Sequence, residues 1–392
     1  MDMPCSFMEH APVQYDGPTT NGRTGRRNMT LIPPVYQSGS NGATPTSVND
    51  NHGSPVPVSP GMPSQQQTFN RLDLELIHYY STQTYMTMTS RLTAHLVWRD
   101  VIFRHGLKHD FLLHALMATA ALHKATKHAE DSEVHAEYIK VAFSYQNAAL
   151  AGYIPALNRP DESNAVALFI LSALLTVWLF GSKKLPEALN GVNFSKSATL
   201  VSQTANGAPD TGAPDFFEIL TRIQGIHAVV KQTIQWLQGG EITPLLQPPT
   251  EAELPQNPPD IEASFEKLRK RVDDIAIANP QLSKSTIIER TEIYVERLEH
   301  LRRVSRSRTV LEHDQQVFAW PVTSEPPYIE LIRLRDPIAI ALFVHWAACF
   351  RCLDHLWWAK GWSYRLVRDA SSLLDDTWSD VIAWPLKEVG LD

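Results

Sequence analysis

The chain has 392 residues, a net charge of −7 and three cysteines. That charge gives no general attraction for nucleic acid or acidic membranes, and Cys5, Cys349 and Cys352 do not form the disulfide framework of a secreted protein, so a reducing compartment is expected. The length suits one large domain or two, and the first residues, MDMPCSFMEH, have neither the basic nor the apolar region of a signal peptide.

Residues 1–70 hold 10 of the 27 prolines and 7 of the 18 glycines, with polar residues between them. There is little to bury, and the segment reads as a disordered arm. Its basic cluster, Gly22-Arg23-Thr24-Gly25-Arg26-Arg27, is a few solvated charges or a nuclear import or phosphate-contact patch. From Arg71 the periodicity turns helical. Asn70 can cap a first helix that gathers Leu72, Leu76, Tyr79 and Tyr80 on one face. A second helix over about 110–127 starts at Asp110, and a third runs over about 131–151, loosened by Gly152 and Pro155. Residues 163–182 carry no charge at all. Their length approaches that of a membrane span, but Asn164, Ser172 and Thr176 interrupt the run and no basic belt flanks it. A buried core helix ending at Gly181 is the better reading, and no membrane span is expected.

Residues 204–214 read as a loop. Asp215 then opens a helix through Phe217, Leu220, Ile223, Ile226, Val230 and Ile234, stopped by Gly239-Gly240. Six prolines between Pro244 and Pro259 predict an extended connector at 244–259. Amphipathic helices follow at about 261–278 and 284–304, with another near 307–319. Asp336-Pro337 is a helix start, opening an apolar stretch, Asp336 to Trp362, that Gly361 can end. It is apolar nearly all round, as a central core helix would be. Six of the ten tryptophans lie between Trp346 and Trp384. No strand alternation persists and no repeat appears, so the fold class is all-α: a single large multi-helix domain over 71–392 behind the arm.

Several residues are of catalytic or metal-ligating type. His345, Cys349, Cys352 and His355 are zinc-ligand types, but on one helix they span about 15 Å, too far for one ion; small buried residues account for them better. His105 to Asp110 contains a His-Asp pair of the kind used by helical metal phosphohydrolases, with His78, His95 and Asp131 as recruits, but nothing fixes their geometry. Asp375-Asp376 reads as a solvated helix face. Arg297, Arg302, Arg303, Arg306 and Arg308, interleaved or flanked by Glu296, Glu299 and Glu312, read as an ion-paired face rather than a nucleic-acid surface. No catalytic residue, cofactor or metal is expected, and the chain does not read as an enzyme.

Two blocks carry a resemblance. One is DPIAIALFVHWAACFRCLDHLWWAKGW with Trp378 and Ile382-Ala383-Trp384-Pro385. The other runs from Leu74-Glu75-Leu76-Ile77-His78-Tyr79-Tyr80 through Trp98 and His109-Asp110-Phe111-Leu112-Leu113-His114-Ala115-Leu116 to Ala120-Ala121-Leu122-His123. Together they resemble the regulatory domain of fungal zinc-cluster transcription factors, of the sterol uptake control kind. The resemblance implies a helical domain in the nucleus, entering from the cytoplasm under the control of a lipophilic ligand such as a sterol. It also implies control of sterol or secondary-metabolite genes, and partners among coregulators, zinc-cluster relatives or a second copy. Members bind DNA through six cysteines near the N-terminus. Only Cys5 precedes residue 349 here, so no direct sequence-specific DNA contact is expected. A pocket is expected among the helices at 110–127, 163–180 and 336–356, lined by His114, Met117, Leu171, Trp178, Phe343, Trp346 and Phe350. The same side chains would serve equally as core packing.

Overall fold

The computed structural model describes residues 70–129, 131–182, 215–278 and 280–391. The expectations for the arm of 1–69, its basic cluster and the loop at 204–214 fall outside these residues. Helix α1 (Arg71–Tyr79) begins where the Asn70 side chain accepts the Leu72 N–H at 3.1 Å. The chain then descends in short pieces to residue 106, with π turns at Tyr80–Thr84 and Val97–Val101 between brief helical turns. Helices α2 (Asp110–Lys127) and α3 (Ser132–Ala156) pack along each other. Gly152 is what lets them close: a Cβ there would stand 2.8 Å from Phe111 Cβ. Gly152, expected to loosen the end of this helix, is a close-approach position, and α3 runs on through Pro155.

Helix α4 (Ala165–Ser182) is long and apolar enough to cross a membrane by length and composition, yet 78% of it is buried among its neighbours. It packs against α2 and against α5 (Asp215–Leu237). The proline connector is not free. It holds a turn at Thr243–Leu246 and another at Glu251–Glu253, and it is fastened by arginines of α7 (Lys284–Ser307). Arg303 donates to the Pro249 carbonyl at 2.9 Å, and Arg306 donates to the Pro255 and Leu254 carbonyls at 2.8 and 3.0 Å. Both also pair with Glu251. Helix α6 (Pro259–Asp273) lies between α7 and the C-terminal helices. The ion-paired reading of the arginine run thus holds for Arg302, Arg303, Arg306 and Arg308. Arg297 differs: its side chain is buried, donates to the carbonyls of Trp320 and Thr323 at 2.7 and 3.1 Å, and lies over the Trp320 ring.

The core is built around α9 (Pro337–Cys349), which follows α8 (Pro326–Arg333) after a sharp bend. Arg335 takes a left-handed φ of 56° in that bend, an uncommon state for a residue with a Cβ. Asp336 Oδ1 accepts the N–H groups of both Ile338 and Ala339 at 3.1 Å, and Pro337 occupies the first turn, where its missing donor costs nothing. Every residue from Ile338 to Cys349 is buried, with α6, α7, α8, α10 (Trp362–Ser371) and α11 (Ala383–Val389) around it. The helix is shorter than the sequence predicts. It tightens at Phe350–Leu353 and breaks into turns, and Gly361, with φ 79°, precedes α10 rather than ending α9. Indole N–H groups tie these turns to the rest. Trp346 donates to the Val317 carbonyl at 2.7 Å, Trp358 to the Thr87 carbonyl at 3.1 Å and Trp362 to the Phe180 carbonyl at 2.9 Å. The described residues form an all-α fold with no strand among them.

Candidate ligand cavity

A half-open cavity of about 320 Å³ lies between the short pieces at 88–98, α4, α5 and the segment 312–323. This is at the lower end of the roughly 300–1,000 Å³ typical of small-molecule sites. One face of α4 supplies Phe169, Ile170, Ala173, Thr176 and Val177, offsets that share one side of a helix. Met88, Thr89, Arg91, Ala94 and Trp98 form a lip opposite. Ile226 and Val230 of α5 and the turn Pro244-Leu245-Leu246 close one end. His313, Gln315, Gln316 and Phe318 from the tight turns at Leu311–Phe318, with Trp358 behind them, make the floor.

The lip is held by polar contacts. Arg91 donates to the Pro244 carbonyl at 2.7 Å, His95 Nε2 lies 2.8 Å from the Thr89 carbonyl, and the Gln315 amide donates to the Met88 carbonyl. Beside it, Ser90, Asp314 and His355 meet: Ser90 Oγ is 2.5 Å from Asp314 Oδ2 and 2.7 Å from His355 Nε2. Burial raises the Asp314 carboxyl above the usual carboxylate range, opposed by the Ser90 hydroxyl and His355. The Trp98 indole nitrogen and His313 Nδ1, both buried in the walls, have no hydrogen-bond partner among the described residues. The arrangement is a mainly apolar chamber with polar groups at its lip and floor. Such a chamber can hold an apolar molecule with some polar character.

The seven residues that the sequence put forward for a pocket lie elsewhere. Leu171 and Trp178 are on α4 but on its other face, where Trp178 meets Phe143 edge-on at 5.2 Å. Phe343, Trp346 and Phe350 are fully enclosed by α9's neighbours, with Trp346 stacked on Trp320 at 5.9 Å. Met117 is packed inside α2's contacts, and His114 is half-buried against Tyr145, its basicity lowered by that burial. None of the seven lines this cavity. Ile226 and Val230, placed by the sequence along the helix that Asp215 opens, do line it. The zinc-type residues are also separated. His345 is fully buried, with Nε2 2.9 Å from Ser264 Oγ and Nδ1 2.8 Å from the Ala341 carbonyl, while His355 belongs to the Ser90 cluster. His105, His109 and His95 are likewise dispersed, to Glu241, the Ser163 carbonyl and the Thr89 carbonyl.

Comparison with known proteins bears on what this cavity belongs to. Residues 75–182 match the fungal specific transcription factor domain. A zinc-cluster (Zn(2)-C6) fungal-type transcription factor of Gibberella zeae is 23% identical over 336 residues, covering 82% of this chain and 62% of that protein. Sterol uptake control protein 2 of Saccharomyces cerevisiae is 34% identical over 61 residues, 15% of this chain and 7% of that protein. The chain therefore spans less than two thirds of either relative. Both relatives bear the names of regulators, not of enzymes. The matched domain supplies the lip and the α4 wall of the cavity. Residues 75–182 thus match the fungal specific transcription factor domain, and the chain over most of its length is similar to a fungal zinc-cluster-type transcription factor.

Proposed function

We propose that this chain is a transcription regulator acting in the nucleus, whose helical part responds to a lipophilic small molecule such as a sterol. The ligand site is the cavity between the lip at 88–98 and α4, rather than the core around α9. The observation that carries this reading is that the matched domain itself provides the lip and one wall of an apolar cavity of about 320 Å³. Occupancy would brace the lip against α4 and the 312–323 segment, altering the surface offered to coregulators or to a second copy, and with it nuclear entry and the expression of sterol or secondary-metabolite genes.

The reading is tested by thermal unfolding of folded, delipidated protein against a series of sterols, fatty acids and polyketide-like lipids. A molecule that binds only the native state raises its stability by about 2.7 kcal/mol at a concentration of ~100 times its dissociation constant. No shift with any of them removes the sensor reading. A second reading is favoured by the net charge of −7 and by the ion pairing of Arg302, Arg303, Arg306 and Arg308, which leave these residues little to hold a phosphate backbone. On that reading the chain acts through zinc-cluster relatives without a DNA contact of its own. A shift of target DNA that appears only when such a relative is added supports it.

A further inference from the structure

Ser90, Asp314 and His355 come from three separate segments, and each segment contributes to the cavity wall. Ser90 sits between Thr89 and Arg91 of the lip. Asp314 sits between His313 and Gln315 of the floor. His355 lies in the turn that leads to Trp358. The hydrogens available to these groups can be counted. His355 Nδ1 is 2.9 Å from the Cys352 carbonyl, which can only accept, so Nδ1 carries a hydrogen. In a neutral ring Nε2 is then bare. An ionised Asp314 is also an acceptor only, and the Ser90 hydroxyl has one hydrogen to give. With a neutral ring and an ionised carboxylate, one of the contacts at 2.5 and 2.7 Å would set lone pair against lone pair. One further proton makes both contacts hydrogen bonds. It resides on Asp314, which then donates to Ser90 Oγ while Ser90 donates to His355, or on His355 Nε2, which then donates to Ser90 while Ser90 donates to Asp314.

We propose that this single shared proton works as a latch on the cavity: while it is bound, Ser90 of the lip is tied both to Asp314 of the floor and to His355 of the 350–358 turn, and when it leaves one of these two ties is lost and the lip loosens. His355 is the route for exchange with solvent, its side chain 42% exposed against 2% for Asp314. Burial raises the Asp314 carboxyl, so the closed cluster keeps its proton to higher pH than a free carboxylate would. The direction follows: the closed state binds more protons, so it is favoured at low pH and lost as pH rises. The other titratable groups around the cluster are His313 and Cys352 beside Asp314, Asp354 and Arg308 near Cys352, and Arg91 and His95 on the lip. The latch regulates the cavity assigned above to a ligand, and only its purpose depends on that assignment.

The test needs no ligand, so it stands or fails apart from the sensor reading. Amide hydrogen exchange of the segment 86–96 is followed in the full chain between pH 5.5 and 8.5, corrected for intrinsic exchange, with circular dichroism confirming the fold. The wild type should lose protection about tenfold across the range, as expected when a buried hydrogen bond of ordinary worth is lost. Asp314→Asn supplies permanent N–H donors and should keep high protection with no pH dependence. His355→Gln, at the more exposed position, removes the titration with less risk to folding and should also be flat. A flat wild-type profile, or the wild-type slope persisting in either folded variant, overturns the latch.

Discussion

Trp346 is the residue on which the core depends most visibly. It is fully buried, its indole N–H has a 2.7 Å bond to the Val317 carbonyl, and its ring stacks on Trp320. Trp346→Ala removes a large buried side chain and leaves that carbonyl without its donor, and should destabilise the fold by about 3–5 kcal/mol. Denaturant melts check it; a loss below about 1 kcal/mol would mean that the neighbours do not enclose it as described. Histidines give a second prediction. Burial pushes His345 and His123 down to about 4 from the ordinary 6.5. The unfolded chain therefore binds protons that the fold refuses. Their contribution is intact above pH 6.5 and is lost as pH falls toward about 4. Unfolding midpoints in urea should fall steadily across that window, and a level profile would contradict the burial of these rings as neutral imidazoles.

Among the elements, α9 was legible because its signals are local: Asp336 and Pro337 mark the start, and the unbroken apolar run marks burial on all sides. Helix α4 was legible for the same reason, as a charge-free run that is core rather than membrane. What the sequence could not show is where an apolar face meets another side chain and where it meets space. Leu171 and Ile170 are equally apolar, yet only Ile170 faces the cavity. The lip escaped notice because it is built of short, mixed turns with no sustained period. The arginine run was legible as ion-paired, but its grip on the proline connector depends on backbone carbonyls that no side-chain pattern reports. Gly152 tests the packing of α2 on α3. Gly152→Ala would improve helix propensity in isolation, but its Cβ meets Phe111 Cβ at 2.8 Å, an atom fixed to the backbone. The variant should lose about 1–3 kcal/mol, whereas a stabilised variant would show that the two helices pack more loosely.

For the whole molecule, the net charge of −7 and the neutralised arginines leave little to hold a phosphate backbone. The purified chain should bind duplex DNA weakly and without sequence preference, and nanomolar, sequence-selective binding at near-physiological salt would contradict this. The central claim is that the domain reads a lipophilic ligand in the cavity walled by the lip and α4. The most direct test compares ligand-induced stabilisation in two variants. Ala173 lies on the cavity face of α4, so Ala173→Phe fills the chamber; Trp178 lies on the opposite face, so Trp178→Phe leaves the chamber as it is. With ergosterol as the probe, and each protein shown to be folded, the wild type and Trp178→Phe should gain stability while Ala173→Phe gains none. Undiminished stabilisation of Ala173→Phe, or none in the wild type, would contradict the account.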